Sequence, residues 1–315
     1  MILLRIVTAL LVLTALPCWA EAPAVPDQRA VQVAANTWVI HGPMDYPNPE
    51  NRGFINNPGL VVTPAGVVIV DPGSSVQIGD MVLRQMRAIT AKPVIAVLNT
   101  HVHGDHWLGN DAVLRAFPGV PIYGHPKMIA AIDAGAGEQW IDSMNRLTGN
   151  AVAGTQVVKP TNAVGDGTVL DLGGFQFRIH HNGTAHTNND LMIEVVGEDL
   201  LFTGDNASNG RILRMDDGSF EGNAEALKLA LSLNREVVVP GHGQTAGPEL
   251  IEAYRAYLES LYAAVAELYE EGMSDFEMKD AVHARLGPYH HWAGYETELG
   301  RHISLAYLQV EAAEF

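Results

Sequence analysis

Residues 101–106 read His101-Val102-His103-Gly104-Asp105-His106, and four side chains able to ligate a metal ion stand within these six positions. The run before them, Val94-Ile95-Ala96-Val97-Leu98-Asn99-Thr100, is short and apolar, which predicts a buried strand. Side chains at i and i+2 share one face of an extended strand end, so His101 and His103 are expected to grip one ion together. Asp105 and His106 follow on a predicted turn and can point to a second position. Imidazole and carboxylate are the ligands expected for Zn²⁺ or a similar first-row ion. A merely solvated loop does not require such a concentration of ligands.

Outward from this motif, residues 1–20 predict a cleaved signal peptide. Arg5 supplies the positive start, Ile6 to Leu16 the apolar stretch, and Cys18-Trp19-Ala20 the small-residue site before Glu21. The apolar stretch is short for a bilayer span, so a periplasmic or secreted protein with no membrane insertion after cleavage is expected. Cys18 follows Pro17, a poor fit to a lipidation signal. It is the only cysteine, so the mature chain is expected to have no disulfide, thiolate nucleophile or cysteine metal ligand. The remaining ~295 residues must stand on their core, and they are enough to bury one.

Of the 19 Lys plus Arg, Arg5 departs with the signal, leaving 18 against 36 Asp plus Glu. Such a surface disfavours nucleic acid and anionic membranes as partners. An anionic small-molecule substrate would have to meet a local cluster of positive charge.

No repeat or long linker interrupts residues 28–315. Strands are expected at Val31 to His41, at Leu60 to Val70 with a hairpin turn at Thr63-Pro64-Ala65-Gly66, and at 94–100. Helices are expected at Val76 to Thr90, Gly104 to Phe117 and Pro126 to Leu147, with a short strand at Pro121 to Gly124. A second block of strands follows at Thr168 to Asp171, Phe175 to His181, Leu191 to Val196 and Leu200 to Thr203. Ala224 to Leu233 reads as a helix, Val237 to Val239 as a buried strand, and the chain after Gly247 as helical, with Ser274 an N-cap before Asp275 and Glu277. Strands, helices, strands, helices in that order predict two packed sheets with helices outside.

Later strand ends carry further candidate ligands: His186 after the Phe175 strand, Asp205 after Phe202-Thr203-Gly204, and His242 after Pro240-Gly241. A lone loop histidine is more often structural than a ligand. Three such placements, each with glycine nearby to let backbone approach an ion, argue together for a metal site.

With Asp71 in Val70-Asp71-Pro72-Gly73, these residues make the chain resemble the metallo-β-lactamase superfamily, from about Val31 to Gly247. The resemblance implies a four-layer αββα sandwich over 21–247, with a C-terminal helical extension over 248–315. It implies that His101, His103 and His186 hold one metal, that Asp105, His106 and His242 hold the other, and that Asp205 bridges them. Asp71 would orient ligands from behind. Two Zn²⁺, or iron or manganese, would activate a bridging hydroxide against a small ester, thioester or related electrophile, with Asp105 and Asp205 as the catalytic carboxylates. Family members that cleave β-lactams usually carry cysteine or serine where Asp205 stands. Thioesterases of the glyoxalase II type, lactonases and sulfatases resemble the chain better there. The signal peptide, the stretch Asn206 to Phe220 and the ending Gly300 to Glu311 further resemble SoxH-type exported metallohydrolases. Those are associated with periplasmic sulfur-oxidation and quinoprotein systems, which implies a redox-system partner. A β-lactamase-like hydrolase, a mono-iron sulfur oxidoreductase and a non-catalytic periplasmic accessory protein are the alternatives.

Around the expected site, Arg211 or Arg214 is expected either to bind a substrate carboxylate or to form a structural ion pair with Asp216 or Asp217. Trp107 is expected to wall the pocket or to join the core. The turn-rich loop Met44 to Phe54, with Tyr46, Asn51 and Arg52, is expected to cover the site. His290-His291-Trp292 is read as pocket-capping or surface, and only one of His180 and His181 can face inward.

Overall fold

Turn chemistry shapes the first sheet. The Val31–His41 run folds as a hairpin, β1 (Val31–Ala34) against β2 (Thr37–Val39), and the next run folds at Thr63–Gly66 into β3 (Gly59–Val62) and β4 (Val67–Val70). At that second turn the Thr63 hydroxyl donates to Gly66 O at 2.8 Å. Helix α1 (Val76–Ile89) starts at Ser75, whose side chain accepts from Ile78 N, and returns the chain to β5 (Val94–Leu98), parallel to β4. The computed structural model describes residues 21–314; the predicted signal peptide at 1–20 lies outside them.

The expected helix at Gly104–Phe117 is two helices, α2 (Gly104–Trp107) and α3 (Asn110–Ala116). The break has a cause. Gly109 N–H donates to Gly73 O at 2.7 Å instead of to the preceding helical turn, and Gly73 N–H donates to His106 O at 3.2 Å. A Cβ on Gly109 would stand 2.3 Å from Pro72 O, so only glycine allows this clasp. It ties the loop after β4, and with it Asp71, to the helix that carries His106.

β6 (Ile122–Gly124) follows, then α4 (Pro126–Ala131), a π-helical turn at Ile132–Ala136, α5 (Gly137–Thr148) and the short β7 (Asn162–Ala163). The second sheet contains β8 (Val169–Leu172), β9 (Phe175–His180), β10 (Met192–Val195), β11 (Leu200–Ser208) and, after α6 (Phe220–Ser232), β12 (Val237–His242). The chain closes with α7 (Glu249–Glu270), α8 (Lys279–Arg285) and α9 (Tyr295–Ala313). Ser274 forms the full capping box with Glu277 at the 3₁₀ turn between α7 and α8.

The sheets run β1-β2-β3-β4-β5-β6-β7 and β12-β11-β10-β9-β8. Val61, Val68, Ala96 and Leu98 of the first meet Phe177, Ile193, Leu200 and Phe202 of the second in one buried cluster between them. The outer face of the first sheet packs on α1 and α3, and that of the second on α6, α7 and α9. This is the expected αββα sandwich, and α7 is itself part of its outer layer. Among the described residues no helix is long and apolar enough to cross a membrane.

Candidate metal centre

β5 ends at Leu98, and the chain turns through Asn99–His103 before α2 begins. His101 and His103 therefore stand on a loop past the strand, not on the strand as expected. They still converge, with ring centroids 4.7 Å apart at 71°. His186 arrives from the loop between β9 and β10, and His242 is the last residue of β12. Asp205 lies inside β11, which runs on to Ser208 instead of ending at Thr203. Its pairing with β12 slips on either side of Gly204, and such bulges re-aim side chains. Here the slip delivers the Asp205 carboxylate to the site.

Two ligand groups result. His101, His103, His186 and Asp205 form one; Asp105, His106 and His242 form the other, and within each group the candidate ligand atoms lie within 4.8 Å of one another. Asp205 touches both. Its Oδ2 lies 3.8 Å from His101 Nε2, 3.5 Å from His186 Nε2 and 3.3 Å from His242 Nε2, while Oδ1 lies 3.2 Å from His106 Nε2. Asp105 Oδ2 is 3.3 Å from His242 Nε2 and 3.5 Å from His106 Nε2.

The layer behind the ligands fixes their tautomers. The Thr100 hydroxyl donates to Asp71 Oδ2 at 2.6 Å, so its oxygen accepts from His101 Nδ1 at 3.0 Å. Asp71 Oδ2 also accepts from His106 Nδ1 at 2.8 Å. With Nδ1 engaged from behind, Nε2 of both rings is the atom turned towards the centre. Asp71 holds this post from a left-handed backbone, φ 50°, unusual for a residue with a side chain. His242 Nδ1 lies 2.9 Å from the Ile55 carbonyl and 2.9 Å from an Arg211 guanidinium nitrogen. With Nε2 ligating, the Nδ1 proton goes to Ile55 O, and Arg211 contributes a fixed positive charge behind the ring. His103 works the other way round, with Nδ1 3.0 Å from His186 Nε2 and Nε2 3.3 Å from Asp217 Oδ2.

The electrostatics are those of a cation site. Burial pulls the His101 and His186 imidazoles down, His186 to about 3. Burial acts likewise on His106 and His242, but Asp205, Asp105 and Asp71 around the first, and Asp205 and Asp105 beside the second, leave both above their ordinary value. For Asp105 and Asp205 burial pushes up, and the neighbouring imidazoles win, holding both below the usual carboxylate range. Ionised carboxylates thus stand balanced by protons on imidazoles, where divalent cations can take the protons' place. Among the described residues, His101 Nε2, His106 Nε2 and Asp205 Oδ1 are buried with no hydrogen-bond partner. Buried polar atoms left without a partner cost about 1–3 kcal/mol each, unless they bind something. Their donor set, imidazole and carboxylate, fits divalent first-row cations.

A cavity of about 460 Å³ opens beside this cluster, lined by His103, Asp105, His186, Asp205 and His242 on one wall. Arg211 and Arg214 also line it, as expected, but they differ. Arg211 is only 4% exposed and lies over the Tyr46 ring, 4.8 Å from its centroid. Arg214 is half-exposed and donates to Asp216 Oδ2 at 3.0 Å, one of the expected ion pairs. Tyr46 and Pro47 bring the Met44–Phe54 loop to the cavity. Trp107 requires correction: its ring is fully buried among Leu108, Met128, Ile132, Met144 and Val152, and its Nε1 donates to Val102 O at 2.7 Å. Successive helical residues point about 100° apart, so with His106 aimed at the centre Trp107 must point away. Trp140, not Trp107, is the tryptophan in the cavity wall.

His290, His291 and Trp292 do not line the cavity; Trp292 stacks on Tyr254, and His290 on His283. Thr297 and Glu298, at the start of α9, reach it instead. His180 faces inward to Glu194 Oε2 at 2.8 Å. Sequence reasoning missed Thr100, Trp140 and Glu298 and expected Asp217 only as an arginine partner, where the structure sets it against His103; of these only Trp140 left a legible signal, its i, i+4, i+7 spacing with Met144 and Leu147.

Residues 51–242 match the model of the metallo-beta-lactamase superfamily. The chain belongs to that superfamily. A probable metallo-hydrolase of Streptococcus pyogenes serotype M6 is 26% identical over 197 residues, covering 59% of this chain and 78% of that one. A hydroxyacylglutathione hydrolase of Xylella fastidiosa is 27% identical over 148 residues, 46% of this chain; the match spans 43% of that relative's length. In three dimensions, a metallo-beta-lactamase from Pontibacter korlensis superposes with a TM-score of 0.60 at 18% identity, over 73% of this chain and 98% of that one. The superfamily member described here is thus an enzyme of the metallo-hydrolase class with the sandwich fold.

Proposed function

We propose that this superfamily member is an exported dinuclear zinc hydrolase acting on a small ester or thioester. The observation that carries the reading is Asp205, one buried carboxylate in reach of imidazoles from both ligand groups. A complete second group, Asp105, His106 and His242, favours two ions over one. When bound there, the zinc pair supplies Lewis acidity, activating water near neutral pH and polarising the carbonyl.

The chain's own residues do the rest. Asp71 and Thr100 hold His101 and His106 in their ligating tautomers. Asp105, more open to the cavity than Asp205, is placed to hold the proton that leaves with the alcohol or thiol. Hydrolysis forms a C–O bond at the acyl carbon, breaks the bond to the leaving oxygen or sulfur, and protonates that leaving atom. A thioester substrate is also consistent with the hydroxyacylglutathione hydrolase relatives.

The finer SoxH-type kinship, with a periplasmic redox-system partner, belongs to the same proposal. The two stretches behind it touch in the fold: Arg301 pairs with Asp216 at 2.9 Å, and Gln309 donates to Gly218 O at 3.0 Å. Metal analysis of protein from its native compartment, with an ester, thioester and β-lactam panel, tests the reading. Two zinc ions with ester or thioester turnover are expected. One iron with oxygen uptake would favour the oxidoreductase, and bound metal without turnover the accessory protein.

A further inference from the structure

The wall of the cavity away from the ligands has a chemistry of its own. α5 lines it with Trp140 and Leu147 at i and i+7, over Met144 at i+4, which is 1% exposed and also packs on Trp107, so that the three share one face of the helix. The row begins at the metal centre, where the Trp140 ring centroid lies 5.1 Å from that of His103. It ends at Leu147, 51% exposed and one of few large apolar side chains so open to water among the described residues. The helix is pressed into this position: a Cβ on Gly104, the first residue of α2, would stand 2.7 Å from Trp140 Cβ. Just before α5 the π-helical turn carries Gly135 at φ 102°, a kink of the kind that recurs at functional sites. Tyr46 and Pro47 add apolar surface to the same cavity.

On the other side of Trp140 lies a second depression of about 460 Å³, whose walls include Gln139, Ser143, Thr187, Asn188 and Asn189. Val102, Ala131 and Ala136 line that side as well, so it mixes polar and apolar groups. The continuous apolar row of α5 side chains lies in the cavity beside the ligand cluster.

We propose that the Trp140–Met144–Leu147 row is an acyl-chain subsite, which holds a saturated alkyl chain of the substrate while its ester or thioester carbonyl lies at the ligand cluster. Seven residues of helix span about 10 Å, the length of an extended chain of about eight carbons. The class of substrate is therefore a medium-chain acyl ester or thioester, and the identification of the reaction rests on the hydrolase reading above.

A homologous series tests it on the zinc-loaded mature protein. p-Nitrophenyl esters from acetyl to decanoyl are turned over in parallel with calorimetric titration of the matching carboxylates, acetate to decanoate. A half-covered methylene is worth about a twofold gain, so kcat/KM for octanoyl should exceed that for acetyl by about 50-fold and then level off. Leu147→Asp places a charge at the end of the row, on an exposed position where folding is not at risk. It should cut the octanoyl-to-acetyl ratio by about tenfold. Ester turnover with no dependence on chain length, or a ratio unchanged in Leu147→Asp, overturns the subsite while leaving the hydrolase intact. Carboxylate affinity that climbs with chain length in the wild type but not in Leu147→Asp, without turnover of any ester, supports the subsite and refutes the hydrolase.

Discussion

Replacing Asp205 with Asn changes one buried atom and one unit of charge. The amide fills the same volume, which matters because a Cβ at Gly241 would stand 1.9 Å from Asp205 Oδ1 and nothing larger fits. The lost charge faces imidazole nitrogens at 3.2–3.8 Å, where a cation would sit. At about 4 Å and an effective dielectric near 20, one unit-charge pair is worth about 4 kcal/mol. Relaxation and water entry reduce this, and half of it is still more than a tenfold loss in affinity for the weaker site. Most of the second ion should therefore be lost, with turnover down at least ~100-fold, comparable to removal of other preorganised electrostatic groups. The assay is metal per chain by mass spectrometry beside steady-state turnover, with circular dichroism to confirm folding. Unchanged metal content and turnover would refute the bridging role of Asp205.

Gly241→Ala should expel the same carboxylate by steric means and reproduce the metal loss in a folded protein, which metal analysis of the purified variant checks. Arg214→Ala should raise KM for anionic substrates with kcat largely kept, the signature of lost uniform binding; an unchanged KM assigns the Arg214–Asp216 pair a structural role only. Penicillins and carbapenems should be poor substrates, and a carbapenem kcat/KM above ~10⁴ M⁻¹s⁻¹ would contradict this. His302 gives a pH prediction. Burial pulls it down to about 4, between the Tyr257 hydroxyl and the Leu213 carbonyl. Its folded pKa is below its unfolded value of about 6.5, so the unfolded chain takes the proton first: stability is intact above pH 6.5 and falls as pH drops towards 4, by about 3 kcal/mol. Urea titrations of metal-free protein at pH 7 and pH 4.5 should show a smaller difference in His302→Gln than in the wild type.

The strand-end ligands were legible because each carries a local signal: an apolar run, then glycine, then a ligating side chain. Asp205 shows the limit of such reading. Thr203-Gly204-Asp205 looks like a strand end, yet pairing with β12 carries the strand to Ser208, and its partner His242, distant in the sequence, leaves no local trace. The break between α2 and α3 is of the same kind, since the acceptor of the Gly109 N–H is Gly73, on a different loop. Trp107 points away because its neighbour on α2, His106, faces the centre, whereas Trp140 reaches the cavity from α5, which carries no ligand. The C-terminal contribution to the cavity, Thr297 and Glu298, was not legible at all. It depends on how α9 packs on α7, and the more conspicuous His290-His291-Trp292 lies outside the cavity for the same reason.

Anomalous diffraction at the zinc edge, from crystals of zinc-loaded protein, tests the dinuclear centre most directly. Two peaks about 3.5–4 Å apart are expected, one among His101, His103 and His186, the other among Asp105, His106 and His242, with Asp205 between them. A single peak at full occupancy, or two peaks with Asp205 outside the bonding distance of either, would contradict it.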